Sequence, residues 1–161
     1  MNFRIPRSKV AGLDDASYFW ALIEPIWPDA SVDDELKHIA LGTPGQRALY
    51  VVTLCIREVC NGGLEQFFSN SSGMYAAEVS KALRLLGATE HAAAFEKALR
   101  IFPGKRVPVD QGERQAILES IPDARRKAIF EPLDEEFYGE ERIWPYFQRY
   151  VDLHPNEFFE G

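Results

Sequence analysis

Gln46-Arg47-Ala48-Leu49-Tyr50-Val51-Val52-Thr53-Leu54-Cys55-Ile56-Arg57-Glu58-Val59-Cys60, followed by Asn61-Gly62-Gly63, is the stretch that decides the fold. Leu49, Val52, Ile56 and Val59 recur at steps of three and four, the spacing of one helical face. Tyr50, Val51, Leu54 and Cys55 make most other sides apolar too, so residues 46–60 read as a buried central helix. A strand of this length is unusual, and Arg57-Glu58 continue the helical pattern. Asn61-Gly62-Gly63 is expected to stop the helix, since glycine takes the left-handed C-terminal conformation without a Cβ penalty. A short apolar turn over Leu64 to Phe68 should follow.

On the N-terminal side, residues 1–13 read as an irregular arm. Asp14-Asp15 can cap a helix burying Phe19, Leu22, Ile23 and Ile26, which Pro25 and Pro28 end. A polar stretch from Asp29 to Leu36 leads to the break Gly42-Thr43-Pro44-Gly45. On the C-terminal side, Met74 to Leu86 reads as a helix closed by Gly87. Thr89 can cap the next, with Ala92, Phe95, Leu99 and Phe102 inward. Asp110 and Glu113 resemble a capping box opening a helix through Ile121. Pro132 should divide residues 123–139 into two short pieces. Glu141 to His154 places Ile143, Phe147, Tyr150 and Val151 on one face. The fold class is therefore all-α: one irregular bundle of about seven helices, with no internal repeat.

A chain of 161 residues suits a single domain, and its 46% hydrophobic and 27% charged content is that of a globular protein rather than a disordered one. No apolar run approaches the ~20 residues of a membrane span, and nothing behind the charged N-terminus resembles a secretory signal, so a cytoplasmic location is expected. Cys55 and Cys60 fall on different faces of one helix and read as reduced core thiols. The net charge of −7 is unevenly spread. Residues 1–36 hold 7 acids and 3 bases, residues 37–130 hold 9 and 13, and residues 131–161 hold 9 and 2. Both ends are acidic and the middle is slightly basic, an asymmetry that fits a basic partner or a solvated face.

Chemistry finds little support in the residues. His38, His91, His154, Cys55 and Cys60 show neither a C-x-x-C pair nor histidines four apart, so no metal and no cofactor is expected. Asp134, Glu136 and Gly139 echo a calcium loop, but Pro145 stands where its last carboxylate is needed. Ser72 and Cys60 lie near glycine turns without a nucleophile elbow, and read as a cap and a core residue. No catalytic residue is assigned. Arg125-Arg126-Lys127 and Lys105-Arg106 are short basic runs, which argues against direct nucleic-acid binding.

The segment Glu58 to Gly73 follows the pattern E-x-x-N-G-G-[FL]-x-Q-[FY]-[FL]-x-N-x-x-G. With Leu86-Gly87-Ala88 and the ending Pro155-Asn156-Glu157-Phe158-Phe159, it resembles a bacterial helical family whose best-known member is a DNA-mimic protein. The similarity covers about residues 40–160. The resemblance implies an all-helical, non-enzymatic, protein-binding domain and a homodimer. Its surface carboxylates would occupy the DNA-binding face of a basic DNA-binding protein or transcription factor. Read from the residues, the signature Asn61, Gly62, Gly63, Gln66, Phe67, Phe68, Asn70 and Gly73 is architectural. Glycines end the helix, Phe67 and Phe68 fill the core, and Gln66 and Asn70 satisfy backbone at helix ends. The alternative is a small-molecule-binding or hydrolytic domain with a polar pocket at Asn61, Gln66 and Asn70. Mimicry calls on acids: Asp29, Asp33, Asp34 and Glu35 near the start, and Glu131, Asp134, Glu135, Glu136, Glu140 and Glu141 near the end.

Overall fold

The computed structural model describes residues 2–161, so Met1, part of the expected arm, lies outside them. Eight α-helices, joined by short 3-10 turns, form an all-α bundle: α1 (Asp15–Ile23), α2 (Glu35–Ala40), α3 (Pro44–Ser69), α4 (Ala76–Leu85), α5 (Thr89–Leu99), α6 (Gln111–Glu119), α7 (Asp123–Asp134) and α8 (Trp144–Leu153). The described residues contain no β-strand, only a lone parallel bridge between Ile5 and Phe159. α3 is the hub, packing against α1, α4, α6, α7 and α8. Its residues Leu49, Val52, Ile56, Val59, Leu64, Phe67 and Phe68 are all essentially inaccessible to solvent. Around Phe68 the rings of Phe67, Phe95, Phe102 and Phe130 lie 5.1–5.8 Å away, the edge-on and offset geometry aromatic cores favour.

The central helix is longer than its periodicity indicates. Thr43 and Gln46 exchange hydrogen bonds as a capping box, and Pro44 occupies the first turn, where its missing N–H costs nothing. The expected break is instead a starting signal. At the other end the helix kinks at Gly62 and Gly63 and resumes through Leu64 to Ser69, so the expected apolar turn is helical. Gly63 has φ +77°, and a Cβ there would sit 2.6 Å from Asp134 Oδ2. Glycine is required on both counts.

Four further expectations need correction. α2 forms inside the polar stretch read as linker, capped by Asp34 through the Lys37 N–H at 3.1 Å. Thr89 is the first residue of α5 and makes no cap bond. α7 runs through Pro132, which lies near the helix end and on the exposed side, where it deletes one ladder bond. Cys60 is exposed, its Sγ 3.7 Å from the Phe137 carbonyl, whereas Cys55 is buried and its thiol is pushed well up by burial. The N-terminal arm is irregular but anchored. Phe3 and Ile5 are buried, Gln46 Nε2 donates to the Phe3 carbonyl at 2.9 Å, and Ile5 exchanges backbone bonds with Phe158 and Glu160 at 3.0 Å.

Candidate functional site

The signature residues converge on one carboxylate. Glu58 Oε2 accepts from Gln66 Nε2 at 2.8 Å and Asn70 Nδ2 at 3.1 Å, and its Oε1 accepts from Ser72 Oγ at 3.1 Å. The spacing follows from the kink: Glu58 lies before it, while Gln66 and Asn70 lie one turn apart after it. Gly62 allows this closure, because a Cβ there would fall 2.0 Å from Gln66 Oε1. Gly73 is equally confined, with a Cβ placed 2.6 Å from Arg114 Nε and 2.7 Å from the Phe68 carbonyl. Phe67 and Phe68 are buried, and Asn61 stands exposed on the outer side of the kink. The surface cavities of about 250–510 Å³ are lined by other residues.

Two buried charges complete the kink. Asp134 Oδ1 accepts the Leu64 N–H at 2.8 Å, acting as a remote cap for the resumed helix. Burial raises its carboxyl above the usual value, and the Leu64 N–H partly opposes that. Arg114, fully buried, donates to the carbonyls of Phe68 and Asn70 at 2.8 Å and of Pro108 and Val109 at 3.0 and 2.5 Å. These include the last carbonyls of α3, the negative end of its dipole.

The acids read as a binding surface divide into groups. Asp134 is buried as described. Glu35 turns inward, accepting from Tyr75 Oη at 2.7 Å and Tyr50 Oη at 3.0 Å; burial pushes both phenols far up, so they remain donors. Asp34 caps α2 and pairs with Lys37, and Asp29 accepts from the Ser31 hydroxyl and N–H. Those bonds, the side-chain one first in each case, lower both carboxyls. Glu136 pairs with Arg142 at 3.3 Å and Glu140 with Arg57 at 2.6 Å. The Arg57 guanidinium also lies over Trp20 and Trp27. Asp33, Glu131, Glu135 and Glu141 are exposed without an ion-pair partner among the described residues.

The chain ends meet at the seam between α1 and α8. A cavity of about 300 Å³ there is lined by Asp15, Phe19, Glu141, Trp144, Pro145 and Gln148. Asp152, about two turns along α8 from Trp144, accepts from Gln148 Nε2 at 2.8 Å. Tyr18 of α1 faces the same row: burial foremost raises its phenol, and the Asp152 carboxylate adds to the rise. Asp14 adjoins the seam and caps α1 through the Ser17 N–H at 2.9 Å, which lowers its carboxyl. Among nearby cations, Arg7 is stacked over Phe159 at 4.6 Å, and Arg149 does not line the cavity. Sequence reasoning took Asp15 as a cap and gave Asp152 no role. Gln148 and Asp152, one turn apart on α8, with Glu141 in the turn before it, are the available signal.

No group of three metal-ligating side chains gathers among the described residues, and no helix is long and apolar enough to cross a membrane. Neither curated proteins nor solved structures yield a match to the chain. A family model described as DMP19-like protein does match, over residues 41–154. That span begins just before the Thr43 cap, contains the whole kinked helix with the Glu58, Asp134 and Arg114 contacts, and ends with α8. Since it is well over half of the sequence, the chain belongs to the DMP19-like protein family.

Proposed function

We propose that this protein acts by binding another protein, as a DNA mimic whose α1–α8 seam lies against the basic DNA-binding face of a transcription factor or similar partner. The observation that carries the reading is the shared cavity of Asp15 and Glu141, acids from opposite ends of the sequence. Duplex DNA carries about one charge per 1.7 Å of axis, so a mimic needs several carboxylates held in place rather than a high total charge. Asp15 and Asp152 sit on α1 and α8, which pack against the core, and Glu141 in the short turn that leads into α8, with Asp14 and Glu140 beside them. Trp144 at the cavity offers a ring face for an incoming guanidinium. Asp33, Glu131 and Glu135 supply flanking charge. In this reading the protein performs no reaction, the Glu58 cluster is architectural, and a homodimer would extend the acidic row.

Affinity capture from the native cytoplasm tests the proposal. The wild-type chain should retain a basic DNA-binding protein that a short duplex DNA displaces and that salt releases steeply. The Asp15→Asn/Glu141→Gln/Asp152→Asn variant should bind that protein at least about tenfold more weakly, while Glu119→Gln leaves binding unchanged. A retained partner insensitive to both the triple variant and the duplex would refute the assignment.

A further inference from the structure

A groove of about 510 Å³ lies between the C-terminal end of α5, the second half of α6 and the start of α7. Ile101, Ile117, Ile121 and Ile129 form its apolar wall, each half-buried. Lys97, Arg100 and Arg125 stand exposed around them. No carboxylate lines the groove; Glu96, Glu119 and Asp123, the nearest acids in sequence, lie outside it, Glu96 paired with Arg84. None of the three cations has an ion-pair partner among the described residues.

The bases of α7 show how selective this arrangement is. Asp123 takes Arg126 and Lys127, at 3.3 and 3.1 Å, and Arg126 also holds Glu65 at 2.9 Å and the Leu118 carbonyl at 3.0 Å. Arg125, next to Arg126 in sequence, has no such ion pair among the described residues. It stands in the first turn of a helix, where the dipole disfavours a cation, so an anion from outside would relieve an existing cost. Branched isoleucines lose little rotamer freedom on contact, which suits a preformed docking wall. A phosphate backbone would have no use for that wall.

We propose that the groove docks an acidic amphipathic helix of a partner protein, its apolar side chains against the four isoleucines and its carboxylates against Lys97, Arg100 and Arg125. Charge complementarity and the apolar wall together select this occupant. The proposal is independent of the α1–α8 seam, which selects a partner of opposite sign. The protein would then join an acidic partner to a basic one.

The probe is a fluorescein-labelled helical peptide of leucine and glutamate with leucines at i, i+3, i+4 and i+7, followed by fluorescence anisotropy against the full chain. The wild-type chain should bind it, and both Arg100→Ala/Arg125→Ala and Ile121→Ser should weaken binding at least about tenfold, with circular dichroism unchanged. A control peptide with serine for leucine should bind about tenfold less, and the seam triple variant should bind the probe as the wild type does. Equal binding by the arginine variant or by the serine peptide overturns the proposal. So does a short duplex DNA held through the same two arginines, which would make this a phosphate site. A dimer in sedimentation that the arginine variant dissociates would assign the groove to a second copy of the chain, and also overturns it.

Discussion

Glu58 and Asp134 spend their oxygens on donors from across the kink, whereas Asp15 and Glu141 stand exposed along the α1–α8 seam and Asp152 gives an oxygen only to Gln148, one turn away on its own helix. Residue type does not separate the two groups; the demands of the kink do, Asp134 serving a backbone N–H and Glu58 the side chains of Gln66, Asn70 and Ser72. At the kink, Gly62 and Gly63 interrupt the helical ladder, so N–H and C=O groups inside the core require partners, and charged side chains are drawn in to supply them. At the seam, α1 and α8 are regular and need little from their outer side chains. Acids there are free for another molecule.

That contrast breaks first at Arg114. Its guanidinium bonds to four carbonyl dipoles rather than to a carboxylate, with burial pulling it down from its ordinary value and the Asp110 charge partly opposing that. Arg114→Ala should strand those carbonyls and cost ~3–5 kcal/mol, comparable to breaking a buried ion pair. Thermal unfolding should show it as a fall in Tm of roughly 10 °C or more. A fall of only a degree or two would mean the kink does not depend on this residue.

A smaller effect is expected at Asp134, where two substitutions separate the hydrogen bond from the charge. Asp134→Ala removes the acceptor for a buried N–H and should cost ~1–3 kcal/mol in urea unfolding. Asp134→Asn keeps an acceptor and removes a carboxylate whose folded pKa is raised by burial. A raised folded pKa means this group's favourable contribution is present below its unfolded value, near 3.8, and lost as pH rises through the folded value. At pH 7 the asparagine variant should therefore match or exceed the wild type. That advantage should shrink as pH falls toward 4, and an advantage growing in acid would contradict the inward placement.

These inward roles mark the limit of what the residues disclose on their own. The apolar faces of α3, α4, α5 and α8 were legible because each repeats at local spacing, as was the interruption at Asn61-Gly62-Gly63. The resumption of α3 was not, since it depends on Asp134, 70 positions away in sequence, capping Leu64. Nothing in the local sequence marks Arg114 for burial; only the arrival of the Phe68 and Asn70 carbonyls encloses it. Glu35 and Asp134 were misread as surface acids for the same reason. Ile5 joins the core through pairing with the opposite end of the chain, and Phe3 through its carbonyl on Gln46, which no local pattern announces. The seam follows suit, since Asp15 and Glu141 become neighbours only once α1 packs on α8.

The smallest expected stability effect falls on the seam, and there a null result carries information. If Asp15, Glu141 and Asp152 were structural, neutralising them would cost what Glu58 or Asp134 costs. As exposed carboxylates they give the fold little, and surface changes of this kind stay within about ±0.5 kcal/mol. Removing crowded negative charge can even raise stability slightly at low ionic strength, since Asp15 and Glu141 share a cavity with no cation lining it. The triple variant should therefore unfold in urea at the wild-type midpoint in high salt and at or just above it in low salt. A clear loss of stability in both would move the seam into the architectural group with Glu58 and leave the acidic surface without a role of its own.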